Sequence, residues 1–241
     1  MSSLAEGARF VHVLFGAIGL AAFWIPVITR KGAVNHVRFG KIFVWSAYIL
    51  LSAAAISLIS RINGLVASGV GPADRPGLFV SIVFLGYLTL TTFVSVRHGM
   101  VVLKYKGDPA SFKSWLSTGL AWTAIAASVF IIFYALIVSP TSKILLFALS
   151  PIGLGIGSGI LGYMRAKNVS KRAWMYEHLG AMIGSGIAFH TAFAVFGVTR
   201  LFDIGLNGWV AIIPWIAPAA IGVAAIFIWT RHYRQKFGEV A

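Results

Sequence analysis

The chain has no cysteine, and only six of its 241 residues are acidic. Without thiols it can form no disulfide, thiolate zinc site, iron–sulfur cluster or cysteine nucleophile. Charge of either sign is scarce, at 11% of residues against about 25% in a soluble domain. No loop between apolar runs exceeds about 15 residues, which leaves no room for a nucleotide-binding domain outside them. The stretch GIGSGILG has the glycines of a phosphate loop, but it lacks a preceding strand and lies inside an apolar run.

What is abundant is apolar surface. Hydrophobic residues make up 59% of the chain, and its mean hydropathy is +0.87. A membrane-spanning helix needs roughly 20 apolar residues. Seven stretches qualify, near 8–29, 40–62, 78–103, 112–138, 143–164, 174–199 and 208–230. The expected fold is therefore all-α: one polytopic transmembrane bundle of seven helices in a lipid bilayer. The opening MSSLAEGARF has no basic region ahead of an apolar core, so the first run is expected to be retained as a helix. Asn35 is placed to cap an early start of the second helix and Ser111 the fourth. Pro151, Pro214 and Pro218 are expected to kink the fifth and seventh spans. Glycines 153, 155, 157, 159 and 162, with 180, 184 and 186, point to a tight contact of spans five and six or to room for a flat ligand. Trp45, Trp115, Trp122, Trp174 and Trp209 read as interfacial belt residues.

The net charge of +14 does not indicate nucleic acid binding, because the basic residues sit in short loops. Fifteen of the twenty lie in alternate loops and the C-terminal tail: Arg30, Lys31, Arg38, Lys41, Arg97, Lys104, Lys106, Lys113, Arg165, Lys167, Lys171, Arg172, Arg231, Arg234 and Lys236. The bias alternates with every crossing. Positive-inside logic then places the N-terminus outside and the C-terminus in the cytoplasm. The sequon Asn168-Val-Ser170 falls on the cytoplasmic side and is discounted.

Ionisable groups at membrane depth are expensive and mark function by default. Glu177 is the one acid inside a span, and His12, His36, His98, His178 and His190 lie within spans or at their mouths. His178 and His190 are twelve residues apart, about 18 Å along a helix, so they serve opposite leaflets. By depth, His12 matches His190 on the outer side, and His36 and His98 match His178 on the inner side. Two stacked histidine sets suit one or two b-type haems, whose iron takes two axial imidazoles. Arg38, Lys41, Arg97 and Arg172 stand at the inner mouth as propionate partners, and Arg9 and Arg200 at the outer. Each histidine has a plainer reading as an interfacial residue or a donor to a neighbouring carbonyl. Glu177 has two, headgroup contact or pairing with Arg172, set against a third reading in which it takes a proton from, or orients, a neighbouring imidazole.

Two stretches, HVLFGAIGL and KGAVNHVRFGKIFVWSAYIL, each place a histidine four residues before a glycine, His12/Gly16 and His36/Gly40. With KRAWMYEHLGAM they resemble a family of bacterial multi-pass membrane proteins of unknown function. That resemblance singles out His12 and His36 and implies no activity. The paired histidines of one helix are also similar in layout to the two-haem cytochrome b superfamily, although a second such helix is missing. The leading expectation is a membrane b-type haem protein, an oxidoreductase passing electrons to or from a quinone or a redox partner protein. The alternatives are a proton-coupled transporter using Glu177 and the histidines, an accessory subunit of a membrane complex or homo-oligomer, and an intramembrane zinc hydrolase. No catalytic residue is assigned. HxxH and HxxxH pairs, the usual zinc spacing on a helix, do not occur.

Overall fold

The computed structural model describes residues 3–106, 108, 111–112, 114–138, 143–167, 169–203 and 208–239. Asn168, Lys113 and parts of three expected turns lie outside them. Among the described residues all regular structure is helical. The helices are α1 (Ser3–Ile28), α2 (Val34–Ala67), α3 (Pro76–Val101), α4 (Trp115–Val138), α5 (Lys143–Leu149), α6 (Pro151–Arg165), α7 (Ala173–Ala192), α8 (Thr199–Leu201) and α9 (Ile213–Lys236). Single turns of 3-10 helix extend α3 and precede α9, and a π-helical stretch, Phe193–Val198, joins α7 to α8. Seven stretches are long and apolar enough to cross a membrane: Leu4–Ile28, Val34–Ala67, Pro76–Lys104, Trp115–Val138, Lys143–Arg165, Ala173–Leu201 and Val210–Lys236. These are the seven expected spans. The polytopic helical fold follows from them, because a helix satisfies all of its own backbone groups in hydrocarbon.

Local chemistry moves several boundaries. The second helix starts at Val34 behind Ala33, which has no side-chain cap, so Asn35 lies inside the helix rather than at its cap. The fourth starts at Trp115, and Ser114 rather than Ser111 is its cap. Ser114 Oγ accepts the Ser117 amide at 3.1 Å, whereas the Ser111 hydroxyl donates to the Asp108 carbonyl. Pro214 occupies the first turn of α9, where a missing N–H costs nothing, and Pro218 lies inside it.

The chain packs as two compact units, residues 1–93 with 126–153 and residues 94–125 with 154–241. In the first, α1 and α2 form an antiparallel hairpin. Phe23 meets Phe43 at 5.4 Å, and farther along α2 the Tyr48 and Phe93 rings lie 6.0 Å apart. The same unit contains the break in the fifth span. Pro151 has no amide to continue α5. The Tyr87 hydroxyl fills the gap: it accepts the Gly153 amide at 3.0 Å and lies 2.8 Å and 3.1 Å from the Ser150 and Leu149 carbonyls, with Ser128 Oγ at 3.1 Å. A phenol has thus been inserted into an i→i−4 ladder, one of the recognised causes of a kink.

In the second unit the end of α3 runs antiparallel to α7, and α7 to α9. Gly184 lies opposite Ser95, while a Cβ on Gly99 would run into Met182 and Ala181. Gly222 admits Ile187 in the same way. Of the span-five glycines, the four from Gly155 to Gly162 make no close contact with span six. Gly157 packs on the Ala121 carbonyl and Ile125 of α4, and nothing lies within 4 Å of a Cβ on Gly155, Gly159 or Gly162.

Candidate functional site

The two His-x-x-x-Gly pairs act alike. His12 Nδ1–H donates across the hairpin to the Leu50 carbonyl at 3.2 Å, and a Cβ on Gly16 would stand 3.3 Å from the Leu50 side chain. His36 Nδ1–H donates to the Pro26 carbonyl at 3.1 Å, and Gly40 faces the Pro26 ring at 3.8 Å. In each pair the imidazole bonds a residue's carbonyl, and the glycine one turn later makes room for that same residue's side chain. The geometry explains why the spacing is four. Pro26 O also accepts Lys31 Nζ at 2.8 Å, so one carbonyl near the end of α1 closes that end of the hairpin. Burial holds the Lys31 ammonium pKa below its ordinary value.

The second unit holds the remaining intramembrane titratable groups of the candidate set. His190 Nδ1–H donates to the Gly186 carbonyl of its own helix at 2.7 Å, three residues before the π-helical stretch begins at Phe193. His178 Nδ1–H donates to the Gly99 carbonyl of α3 at 2.7 Å. One residue away on each helix, His98 Nε2 and Glu177 Oε2 are 2.9 Å apart. Glu177 thus takes His98's bond, and His178 turns to the backbone beside it.

The pair sits where α3 and α7 touch. Ser95 Oγ–H donates to the Ala181 carbonyl at 3.1 Å, and Gly99 lets the helices close. The side chains are 7% exposed for His98 and 33% for Glu177, so one partner is dry and the other reachable. Phe112 and Tyr163 meet the His98 ring edge to face at 5.4 Å and 6.3 Å. His98 Nδ1, on the other side of the ring, is buried with no hydrogen-bond partner among the described residues. A buried polar atom left unmet is rare and calls for a reason.

The candidate arginines do different things. Arg97 donates to Ser117 Oγ at 3.1 Å, Arg38 is exposed, and Arg172 lies 3.8 Å from Glu239 with its guanidinium over the Phe237 ring. Glu239 Oε2 also accepts the Tyr176 hydroxyl at 2.6 Å, so the tail folds back on the start of α7. Tyr176 and Arg172 hold the Glu239 carboxyl below the ordinary carboxylate value. Sequence reasoning missed Ser117, Tyr163 and the Tyr176–Glu239 contact, because no spacing signals a partner on another helix.

Among the described residues no three metal-ligating side chains converge, so a protein-built zinc centre finds no ligand set there. Haem needs only paired imidazoles and a slot. At the level of His98 and His178, α3 and α7 are in contact, and His98 presents Nε2 to Glu177. Ligation by that pair requires the His98–Glu177 contact to open. Comparison with family models, with curated proteins and with solved structures returned no match.

Proposed function

We propose that the chain is a proton-handling integral membrane protein, a proton-coupled transporter in class, with His98 and Glu177 as its working pair. The observation that supports this most is a histidine–carboxylate contact of 2.9 Å between two membrane-spanning helices, with the dry partner holding an unmet nitrogen. Such groups at membrane depth serve proton relays in pumps and transporters. Glu177, a third exposed, is the group that exchanges with water, and His98 stores or passes the proton inward. The broken fifth span and the π-helical end of the sixth add support, because irregular backbone in spans marks transport sites. The basic end that carries the pair faces the cytoplasm in this reading.

The test is the decay of an imposed pH gradient in vesicles carrying the purified protein, with the membrane potential clamped by potassium and valinomycin. Decay faster than in protein-free vesicles, and slowed by Glu177→Gln, is expected. Equal rates in wild type, Glu177→Gln and empty vesicles would refute the reading.

A second reading, a membrane b-type haem protein working with a quinone or redox partner, has one observation in its favour. His12, His36, His178 and His190 all donate Nδ1–H to backbone carbonyls, the tautomer common among histidines that ligate metals through Nε2. Bound haem would supply one-electron chemistry. A reduced-minus-oxidised visible spectrum of protein produced with haem precursor tests it: low-spin bands lost on His178→Ala and His190→Ala support it, and a colourless protein removes it.

A further inference from the structure

His98, whose Nδ1 is unmet among the described residues, lines a tight cleft whose other lining includes Arg97, Ser117, Phe112 and Leu120. The cleft lies at the N-terminus of α4, a helix of 24 residues whose first amides and dipole favour negative charge. Three polar groups converge there. Arg97 is half-buried and forms no ion pair among the described residues; its bond runs to Ser117 Oγ. Ser117 Oγ accepts twice, from Arg97 and from the Ser114 hydroxyl at 2.9 Å, so its own proton is left to donate. His98, 6% exposed, donates Nε2–H to Glu177, so its Nδ1 carries a lone pair that nothing among the described residues meets.

Two donors and one acceptor match a protonated carboxylic acid. Its hydroxyl gives a proton to a lone pair, and its oxygens accept from a guanidinium and a hydroxyl. We propose that Arg97, Ser117 and His98 form a binding site for a small monocarboxylic acid of about the size of formate or acetate, taken up as anion and proton together. The proposal rests on the proton-coupled reading above and names its substrate class.

The charges explain the coupling. The groups facing His98 are Glu177 from α7, Arg97 from its own helix and the Tyr163 phenol ring from α6. With His98 neutral, Arg97 and Glu177 cancel. A proton on Nδ1 alone adds a second positive charge beside Arg97, and a carboxylate alone adds a net negative charge in low dielectric. The two together keep the site neutral, so each raises the affinity for the other by the same factor. No bond other than O–H is broken: the acid proton moves from carboxyl oxygen to Nδ1 and returns on release. No water-sized sphere fits the cleft as it stands, so loading requires Arg97 to leave Ser117 and turn its donors onto the acid.

The test is titration calorimetry of sodium formate into the full-length protein in detergent, in two buffers of different ionisation enthalpy. The expected result is one proton taken up per formate bound, and no binding of chloride at equal ionic strength. Arg97→Gln weakens formate about ten- to a hundredfold. Arg97→Lys, which keeps the charge but not the fork, is intermediate, and its melting temperature reports that it folds. His98→Asn abolishes the proton uptake. Formate binding without proton uptake, equal binding of chloride, or binding that follows anionic lipid content each overturns the site. If vesicles pass protons but formate does not bind, this inference fails and the proton reading stands. If formate binds with its proton but the vesicle gradient persists, the site stands and the transport reading fails.

Discussion

Tyr87→Phe removes one oxygen atom and keeps the ring. That oxygen accepts the Gly153 amide and gives its single proton to the Ser150 and Leu149 carbonyls, 2.8 Å and 3.1 Å away. Without it a buried donor and at least one buried acceptor lose their partner inside a span, where water does not replace it. An unmet buried group costs about 1–3 kcal/mol. Hydrogen bonds within membrane bundles measure lower, averaging about 0.6 kcal/mol, because the unfolded chain also finds partners. Two groups at the middle of these ranges give a loss of about 2 kcal/mol. At roughly 2–4 °C per kcal/mol for a chain of this size, the melting temperature falls by about 4–8 °C. The assay is reversible unfolding of purified protein in mixed micelles, with thermal melting alongside. Ser128→Ala, which touches the hydroxyl at 3.1 Å without serving the break, loses less. A Tyr87→Phe protein within about 0.5 kcal/mol of wild type would show that the hydroxyl does not hold the break.

Alanine at two neighbouring glycines of α6 has opposite effects. Gly157→Ala drives a methyl into the Ala121 carbonyl, a backbone atom that cannot turn aside, and destabilises by about 1–3 kcal/mol. Gly155→Ala meets nothing within 4 Å and stabilises by up to about 1 kcal/mol through helix propensity; melting of both variants in one detergent checks the signs. Gly16→Leu overpacks Leu50 and separates the α1–α2 hairpin, read as faster proteolysis in α1, whereas a like effect from Gly7→Leu, where the added carbon meets nothing within 4 Å, would refute the clasp. The folded Glu239 carboxyl titrates below its ordinary 4.5, chiefly through the Tyr176 hydroxyl. Its contribution is therefore complete above the unfolded value and is lost as pH falls through the lower folded one. Hydrogen exchange over residues 232–239 should rise only below about pH 4.5, and Glu239→Gln should raise it at neutral pH.

The spans were legible because length and apolarity are properties of a stretch taken alone. The helix limits were less so. Asn35 has the chemistry of a cap but lies inside α2, and Ser114 outcompeted Ser111 because the chain turns into α4 three residues later. Pro151 announced a break in the fifth span. Tyr87, the group that repairs it, stands more than sixty residues away and carries no signal of its own. For Glu177 the sequence left three partners open. Depth favoured the His98 level, but the choice between Arg172, headgroups and an imidazole depends on rotation about the helix axis, which depth does not determine. Gly99 made that choice by letting α7 approach α3, and Arg172 went to the tail instead.

The cost of polarity in hydrocarbon sorts the intramembrane imidazoles by what they do. His12 and His36 each bind a carbonyl of the opposite hairpin helix with a glycine beneath it, which is a packing device whether or not Nε2 has a further use. His178 and His190 are likewise anchored through Nδ1. His98 differs: its Nε2 is held by the reachable acid and its Nδ1 is held by nothing among the described residues. Leaving that nitrogen unmet is unfavourable in the resting protein. A buried polar atom kept at that cost points to a second state in which it is used. The adjoining Arg97 and Ser117 indicate where that state takes up its missing bond.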